Sequence, residues 1–118
     1  MDNEHSLSPD VIDVLRLIGR KWSLIILHEL THNPMSFGEL KETIKGVSAS
    51  VLSDLLSEFI SKEIIEKRSV SISPPRSAYF ITSFGAILCD IIDSINSWGE
   101  ELTRRVSRIK VEEVGESM

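Results

Sequence analysis

The sequence is short of most features that mark a secreted scaffold, a membrane protein or an enzyme. It has one cysteine, Cys89, in 118 residues, so no intrachain disulfide can form and a disulfide-stapled fold is excluded. Cys89 sits in an apolar helical pattern, where a thiol usually serves as a small hydrophobe of a core or interface. No apolar run approaches the ~20 residues that span a bilayer. The acidic first ten residues lack the basic-then-apolar layout of a signal peptide, and a cytoplasmic location is expected. There is no glycine-rich phosphate loop. A basic excess is missing too: the net charge is −5, which argues weakly against an indiscriminate nucleic-acid binder. Its distribution softens that argument. Residues 36–82 balance six basic against six acidic side chains, while 1–35 hold three and five and 83–118 hold four and seven.

What is present is the composition of a soluble globular chain, 42% hydrophobic and 26% charged. Its length suits one domain spanning 1–118, able to bury roughly two thirds of its unfolded surface. Two N-terminal helices are expected within 8–32. Ser8-Pro9-Asp10 has the form cap, proline at the first helical position, acid in the first turn. The helix it opens carries Val11, Ile12, Val14, Leu15, Leu17 and Ile18, and Gly19 ends it. A second helix, Lys21 to His32, is apolar over so wide an arc that it must be largely buried. Asn33-Pro34 stops it.

The stretch that organises the rest is Ser48 to Ser61. Ser36 and Glu39 have capping-box spacing and start a short helix through about Ile44. Gly46 then turns the chain into Ser48, a good N-cap. Two short helices joined by a few residues containing glycine form the helix-turn-helix signature, here over 36–61. In the second helix Leu52, Leu55, Leu56 and Phe59 make an inward stripe. Ala49, Ser50, Ser53, Asp54 and Ser57 are left on the opposite face. A β-rich segment, Ile64 to Ile72, a loop at Ser73 to Ser77 and a strand at Ala78 to Thr82 make a hairpin over 64–82 with a basic tip. Such a hairpin directly after a helix-turn-helix is a wing that lies against the nucleic-acid backbone. Pro74-Pro75-Arg76 is otherwise a rigid surface turn with a solvated arginine.

Thr82 or Ser83 caps a last helix over 84–110, with an acidic tail at 111–118. Leu88, Ile95, Leu102 and Ile109 recur every seven residues, with Ile91 and Trp98 in the intervening register and Ile92 and Val106 beside them. A helix from Phe84 to Ile109 is roughly 39 Å long, more than an ~85-residue body covers along its whole seam. A second copy covers it, and symmetric dimers are the commonest oligomers. The alternative is a helix folded back on its own core.

His28-Glu29-Leu30-Thr31-His32 matches H-E-x-x-H, in which two histidines one turn apart bind zinc and the glutamate activates water. Catalytic zinc needs a third protein ligand, and the remaining histidine, His5, lies in the N-terminal segment. No enzyme activity, metal or cofactor is expected. The serines cluster at caps and on the outward face of the Ser48 helix, where they hydrogen-bond to backbone or phosphate.

Several segments together resemble the HxlR-like transcriptional regulators, relatives of the MarR group in bacteria and archaea. These are Gly19-Arg20-Lys21-Trp22 with Leu24-Ile25-Ile26-Leu27, Ser36-Phe37-Gly38-Glu39-Leu40, Gly46-Val47-Ser48 with Leu52, and Tyr79-Phe80-Ile81-Thr82-Ser83-Phe84-Gly85. The resemblance covers about Val11 to Gly99. It implies a winged-helix homodimer, mainly α with a small β-hairpin, that binds operator DNA and pairs through its first and last helices. Two departures stand out. Where many members carry a cysteine before the first helix, this chain has Pro9. Where the recognition helix usually presents Gln, Arg or Lys, it has Ala49, Ser50, Asp54 and Ser57, none suited to bidentate base readout.

The residues expected at phosphate are Ser36, Lys41, Lys45, Ser48, Arg68 and Arg76, and those facing bases are Ala49, Ser50, Ser53, Asp54 and Ser57. The expected dimer interface is Leu15, Leu88, Ile91, Ile92, Ile95, Trp98 and Leu102. Partners would be double-stranded DNA, a second copy and an unnamed small-molecule effector, with no membrane. The competing reading is a winged-helix protein-interaction module with weak or no DNA binding.

Overall fold

A computed structural model describes the backbone from Leu7 to Ser117 and side chains from Leu7 to Lys110. The elements, in order, are α1 (Pro9–Ile18), α2 (Ser23–His32), α3 (Phe37–Thr43), α4 (Ala49–Ser61), β1 (Ile65–Ile72), β2 (Pro75–Ile81) and α5 (Ser83–Ser117). This is a winged helix-turn-helix with a long C-terminal helix. His5 and Met118 lie outside the described residues.

Local chemistry sets most boundaries. The Ser8 hydroxyl accepts from Val11 N–H at 3.2 Å, and Ser48 from Val51 N–H at 3.1 Å. Ser36 and Glu39 form the full capping box. Gly46 has φ +93°, and a Cβ there would meet the Trp22 ring at 3.3 Å. Glycine therefore makes this turn on both counts. The second helix starts at Ser23 rather than Lys21. Arg20 N–H bonds to Leu17 O and Ser23 N–H to Arg20 O, which are three-residue turns, so Lys21 and Trp22 belong to the bend.

The hairpin is antiparallel, pairing Ile65 with Ile81 and Ile72 with Pro75, with a bulge at Val70. Its second strand begins at Pro75, three residues before the expected Ala78, and the loop shrinks to Ser73-Pro74. Pro75 is accommodated because it ends the ladder, where no inward N–H is required. Met35 adds a bridge to Tyr79.

The core joins Ile26, Leu27 and Leu30 of α2, Leu40 of α3, the Leu52, Leu55, Leu56 and Phe59 stripe of α4, and Ile65 and Tyr79 of the hairpin. The α4 stripe is nearly inaccessible, with Phe59 and Leu52 at 0% exposure. Such burial stabilises by about 1.5–3 kcal/mol per side chain.

From β2 the chain turns at Thr82, whose hydroxyl accepts from Gly85 N–H at 2.9 Å and donates to Glu63 O at 2.7 Å. α5 then runs to Ser117, past the expected end near Ile109, because no proline interrupts it. Only its first turns pack on the body. Ile92 is 5% exposed and belongs to the protomer's own core.

Candidate nucleic-acid interface

α4 separates its two faces cleanly. Beneath it lies the leucine and Phe59 stripe; outward, Ala49, Ser50, Ser53, Asp54 and Ser57 are all exposed. All five base-facing candidates therefore share one solvent face. At the C-terminal end of α4, Glu58 accepts from Arg20 at 3.1 Å and sits 3.7 Å from Lys62. These contacts tie the end of α4 to the bend after α1. The groups are a third or more exposed, so their role is orientation more than stability.

The wing meets the start of α3. Between its strands and the start of α3 lies a cleft of about 540 Å³ lined by Ser36, Phe37, Glu39, Lys67, Arg76 and Tyr79, among others. Two expected phosphate contacts, Ser36 and Arg76, meet here. A second cation here, Lys67, was not among the sequence candidates. It pairs across the ladder with Tyr79 and holds its ammonium 5.8 Å from that ring. The signal available was strand alternation: Lys67 and Arg68 must face opposite sides of β1.

Arg68 takes the other side, ion-paired with Glu66 and stacked over Phe80 at 4.3 Å. It is thus a partly committed cation rather than a free one. Ser36 is also largely occupied. Its N–H donates to Glu39 Oε1 at 2.9 Å, and its hydroxyl oxygen accepts from Glu39 N–H at 3.1 Å. The hydrogen bonds from Ser36, with the charge of Arg76 nearby, hold the Glu39 carboxyl below the usual carboxylate range. Lys41 and Lys45 are exposed; Ser48 is exposed but serves as the α4 cap.

The described residues provide no cluster of three His, Cys, Asp or Glu side chains placed to hold a metal. His28 and His32 pack edge to face at 4.6 Å between centroids, and His32 Nδ1 lies 2.9 Å from the His28 carbonyl oxygen. They are explained as the exposed edge of the α2 terminus.

Residues 17–107 match the family model for the HxlR-like helix-turn-helix. The chain belongs to that family. A curated relative, the uncharacterized HTH-type transcriptional regulator YdzF of Bacillus subtilis, is 35% identical over 72% of this chain and 79% of its own. The HTH-type transcriptional regulator YodB of the same organism is 27% identical, covering 82% and 87%. Among solved structures, a MarR-family transcriptional regulator from Enterococcus faecalis superposes with a TM-score of 0.73 at 28% identity, covering 92% of this chain and 99% of that one. A crystal structure of diamide-treated YodB gives 0.71 over 82% and 96%. This HxlR-like chain is accordingly a winged-helix transcriptional regulator. Among the described residues, no helix is long and apolar enough to cross a membrane.

Within the family frame, the outward hydrophobic surface becomes the second notable feature. Of the α1 apolar residues only Leu17 is buried, while Val11, Ile12, Val14 and Leu15 are exposed. On α5, Trp98 is 66% exposed and Ile91, Ile95 and Leu102 are between 43% and 48%. Five of the seven expected interface residues therefore lie open. Ile92 does not, for the reason given above, and Leu88 packs against the core. Phe84 and Ile87, each 65% exposed, take their place. An apolar groove of about 450 Å³ runs between α1 and α5, rimmed by Asp10, Asp13 and Lys62.

Proposed function

We propose that the chain acts in the cytoplasm as a homodimer on operator DNA. Each protomer sets α4 into one of two successive major grooves, about 34 Å apart. The observation that carries this reading is the exposed outer face of α4 together with a wing whose cleft brings Arg76 and Lys67 to the start of α3, the other helix of the helix-turn-helix. The exposed α1 and α5 residues support the dimer, because an apolar surface of this extent is rarely left open by a monomer. Phosphate contacts are assigned to Lys41, Lys45, Lys67 and Arg76, with the hydroxyls of Ser36 and Ser48 in lesser roles and Arg68 free to contribute once it leaves Glu66. Base contacts are assigned to Ser50, Ser53, Asp54 and Ser57, with Ala49 providing close approach. A small-molecule effector belongs to the reading, without an assigned site.

Arg76→Ala is expected to lower affinity for all DNA sequences and to reduce the slope of log K against log salt by about one unit per protomer. Fluorescence anisotropy over a salt series measures both. A variant with the parent's slope and affinity removes the wing from the interface. Absence of any mobility shift at low salt, on genomic fragments, would favour the protein-interaction module instead.

A further inference from the structure

The H-E-x-x-H segment has no role in the regulator reading. His28 and His32 are four positions apart on α2, so they share one face of the helix, a turn apart. Their rings meet edge to face with centroids 4.6 Å apart. Bonds of about 2.0–2.1 Å from a tetrahedral metal to two imidazole nitrogens set those nitrogens about 3.3 Å apart. Rings this close reach that separation by rotation about their last side-chain torsions, which are broad for histidine. His28 is free to make the rotation, because among the described residues its ring takes no hydrogen bond.

His32 is already held as a ligand would be. Its Nδ1 lies 2.9 Å from the His28 carbonyl oxygen, which can only accept. The Thr31 hydroxyl, 3.3 Å from the same nitrogen, gives its proton to that carbonyl at 2.6 Å and has none to offer Nδ1. Nδ1 therefore carries the ring proton, and in the neutral ring the lone pair sits on Nε2. A backbone carbonyl on one ring nitrogen, with the other nitrogen left open, is the arrangement that orients metal-bound histidines. Charge adds to this. His32 is the last residue of α2, where the carbonyl end of the helix favours a cation, and the chain carries a net charge of −5. Among the described residues no third His, Cys, Asp or Glu completes a cluster. The remaining coordination positions therefore belong to water, and the pair does not make the three-ligand centre of a zinc hydrolase.

We propose that His28 and His32 form a two-histidine chelate for a divalent late transition-metal ion, with water in the other positions. Imidazole pairs suit Ni²⁺, Cu²⁺ and Zn²⁺, with Cu²⁺ held most tightly, and do not suit Mg²⁺ or Ca²⁺, which take oxygen ligands. Only the folded helix places the two rings together, so the ion binds the native chain in preference to the unfolded one and raises its Tm. None of the residues assigned to DNA takes part. The site therefore stands or falls independently of the operator reading.

Isothermal titration calorimetry of the full chain, free of any histidine tag and in a Cys89→Ser background, tests the site with NiCl₂ and ZnCl₂ alone. One ion per chain is expected, with Kd raised at least about tenfold in His28→Gln and in His32→Gln and unchanged in His5→Gln. Neither α2 histidine is buried, so the metal-free variants should keep the parent's far-UV circular dichroism. Electron paramagnetic resonance of the unsubstituted helix with one equivalent of CuSO₄ gives a second readout that needs no change in α2. Nitrogen hyperfine structure from two imidazoles is expected there. Binding by either α2 variant as tight as the parent's overturns the proposal, as does a copper spectrum with oxygen ligands alone. So does a parent that takes up neither Ni²⁺ nor Zn²⁺ below about 1 mM.

Discussion

Replacing Gly85 with alanine sets two effects of opposite sign against each other. Gly85 is buried at the third position of α5, and a Cβ built there would lie 2.1 Å from the Ile64 carbonyl oxygen and 3.0 Å from its carbon. Ordinary carbon–oxygen contacts are about 3.3–3.6 Å, so the helix would have to move roughly 1 Å. The carbonyl cannot rotate away without loss, because Thr82 N–H and the Thr82 hydroxyl both lie 3.1 Å from it. Overpacking of this kind costs about 1–3 kcal/mol, and an obstacle made of backbone belongs at the upper end. Alanine's better helix propensity returns about 1 kcal/mol. The net loss is about 2 kcal/mol, which for a chain of this size lowers Tm by roughly 6–12 °C. Gly99 supplies the control: nothing in the protomer lies within 4 Å of a Cβ there. Only the propensity term acts, and Gly99→Ala should raise Tm by roughly 2–5 °C. Far-UV circular dichroism melts read both, at one fixed protein concentration because the melting of a dimer depends on it. Shifts of the same sign, or a Gly85→Ala protein that melts with the parent, would refute the contact between α5 and the Ile64 backbone that joins α4 to β1.

Two further outcomes depend on titration. Glu39 has a depressed pKa in the folded chain, from the Ser36 N–H first, then the Ser36 hydroxyl, with Arg76 nearby. Its contribution to stability is therefore present above the unfolded value and lost as pH falls through the folded one. The Tm difference between the parent and Glu39→Gln should be open near about pH 7 and close in acid; a gap that persists to about pH 2 contradicts the capping-box assignment. The Cys89 thiol is pushed upward by partial burial, then by the carboxylates of Asp93 and Asp90, so little thiolate exists at neutral pH. Iodoacetamide should react more slowly with it than with free cysteine, and diamide should leave DNA affinity unchanged. A reaction as fast as that of free cysteine contradicts this.

The features legible in the sequence were those fixed by a few adjacent residues. Ser8, Ser36 with Glu39, and Ser48 cap their helices because a hydroxyl three positions from an unpaired N–H needs no distant partner. The α4 stripe was legible for a similar reason, since four apolar residues on one arc can face only one core. Orientation relative to distant elements was less accessible. Ile91 and Ile92 are adjacent and chemically identical, yet one is open and the other sealed. The direction in which Thr82 launches α5 decides between them, and that direction depends on the Glu63 and Ile64 carbonyls, 19 and 18 residues away. The same holds for Ile87 and Leu88. A strict seven-residue reading took Leu88, whereas the body claims it and leaves Ile87 outside. Lys67 was missed because a cation in an alternating strand gains its role only when the facing cleft exists.

The small side chains of α4 shift the burden of specificity from bases to geometry. A serine hydroxyl contributes about 0.5–1.5 kcal/mol net when it hydrogen-bonds. Removing Ser50 from both protomers therefore costs at most about 3 kcal/mol. A rigid dimer asks more of the spacing between half-sites. Inserting about five base pairs turns the second half-site to the far side of the duplex and disengages one protomer. For a complex of Kd about 10⁻⁸ M, worth about 11 kcal/mol, half of the binding free energy is then at risk, roughly 5 kcal/mol. On an operator selected from genomic fragments, Ser50→Ala should thus weaken binding less than the insertion does. Restoring a full helical turn with about ten inserted base pairs should not recover the loss, because the proposed homodimer would hold the two α4 helices at one separation as well as one facing. If Ser50→Ala abolishes discrimination while the five-base-pair insertion is tolerated, base readout by α4 outweighs spacing, and the small-residue face is a stronger reader than its chemistry suggests.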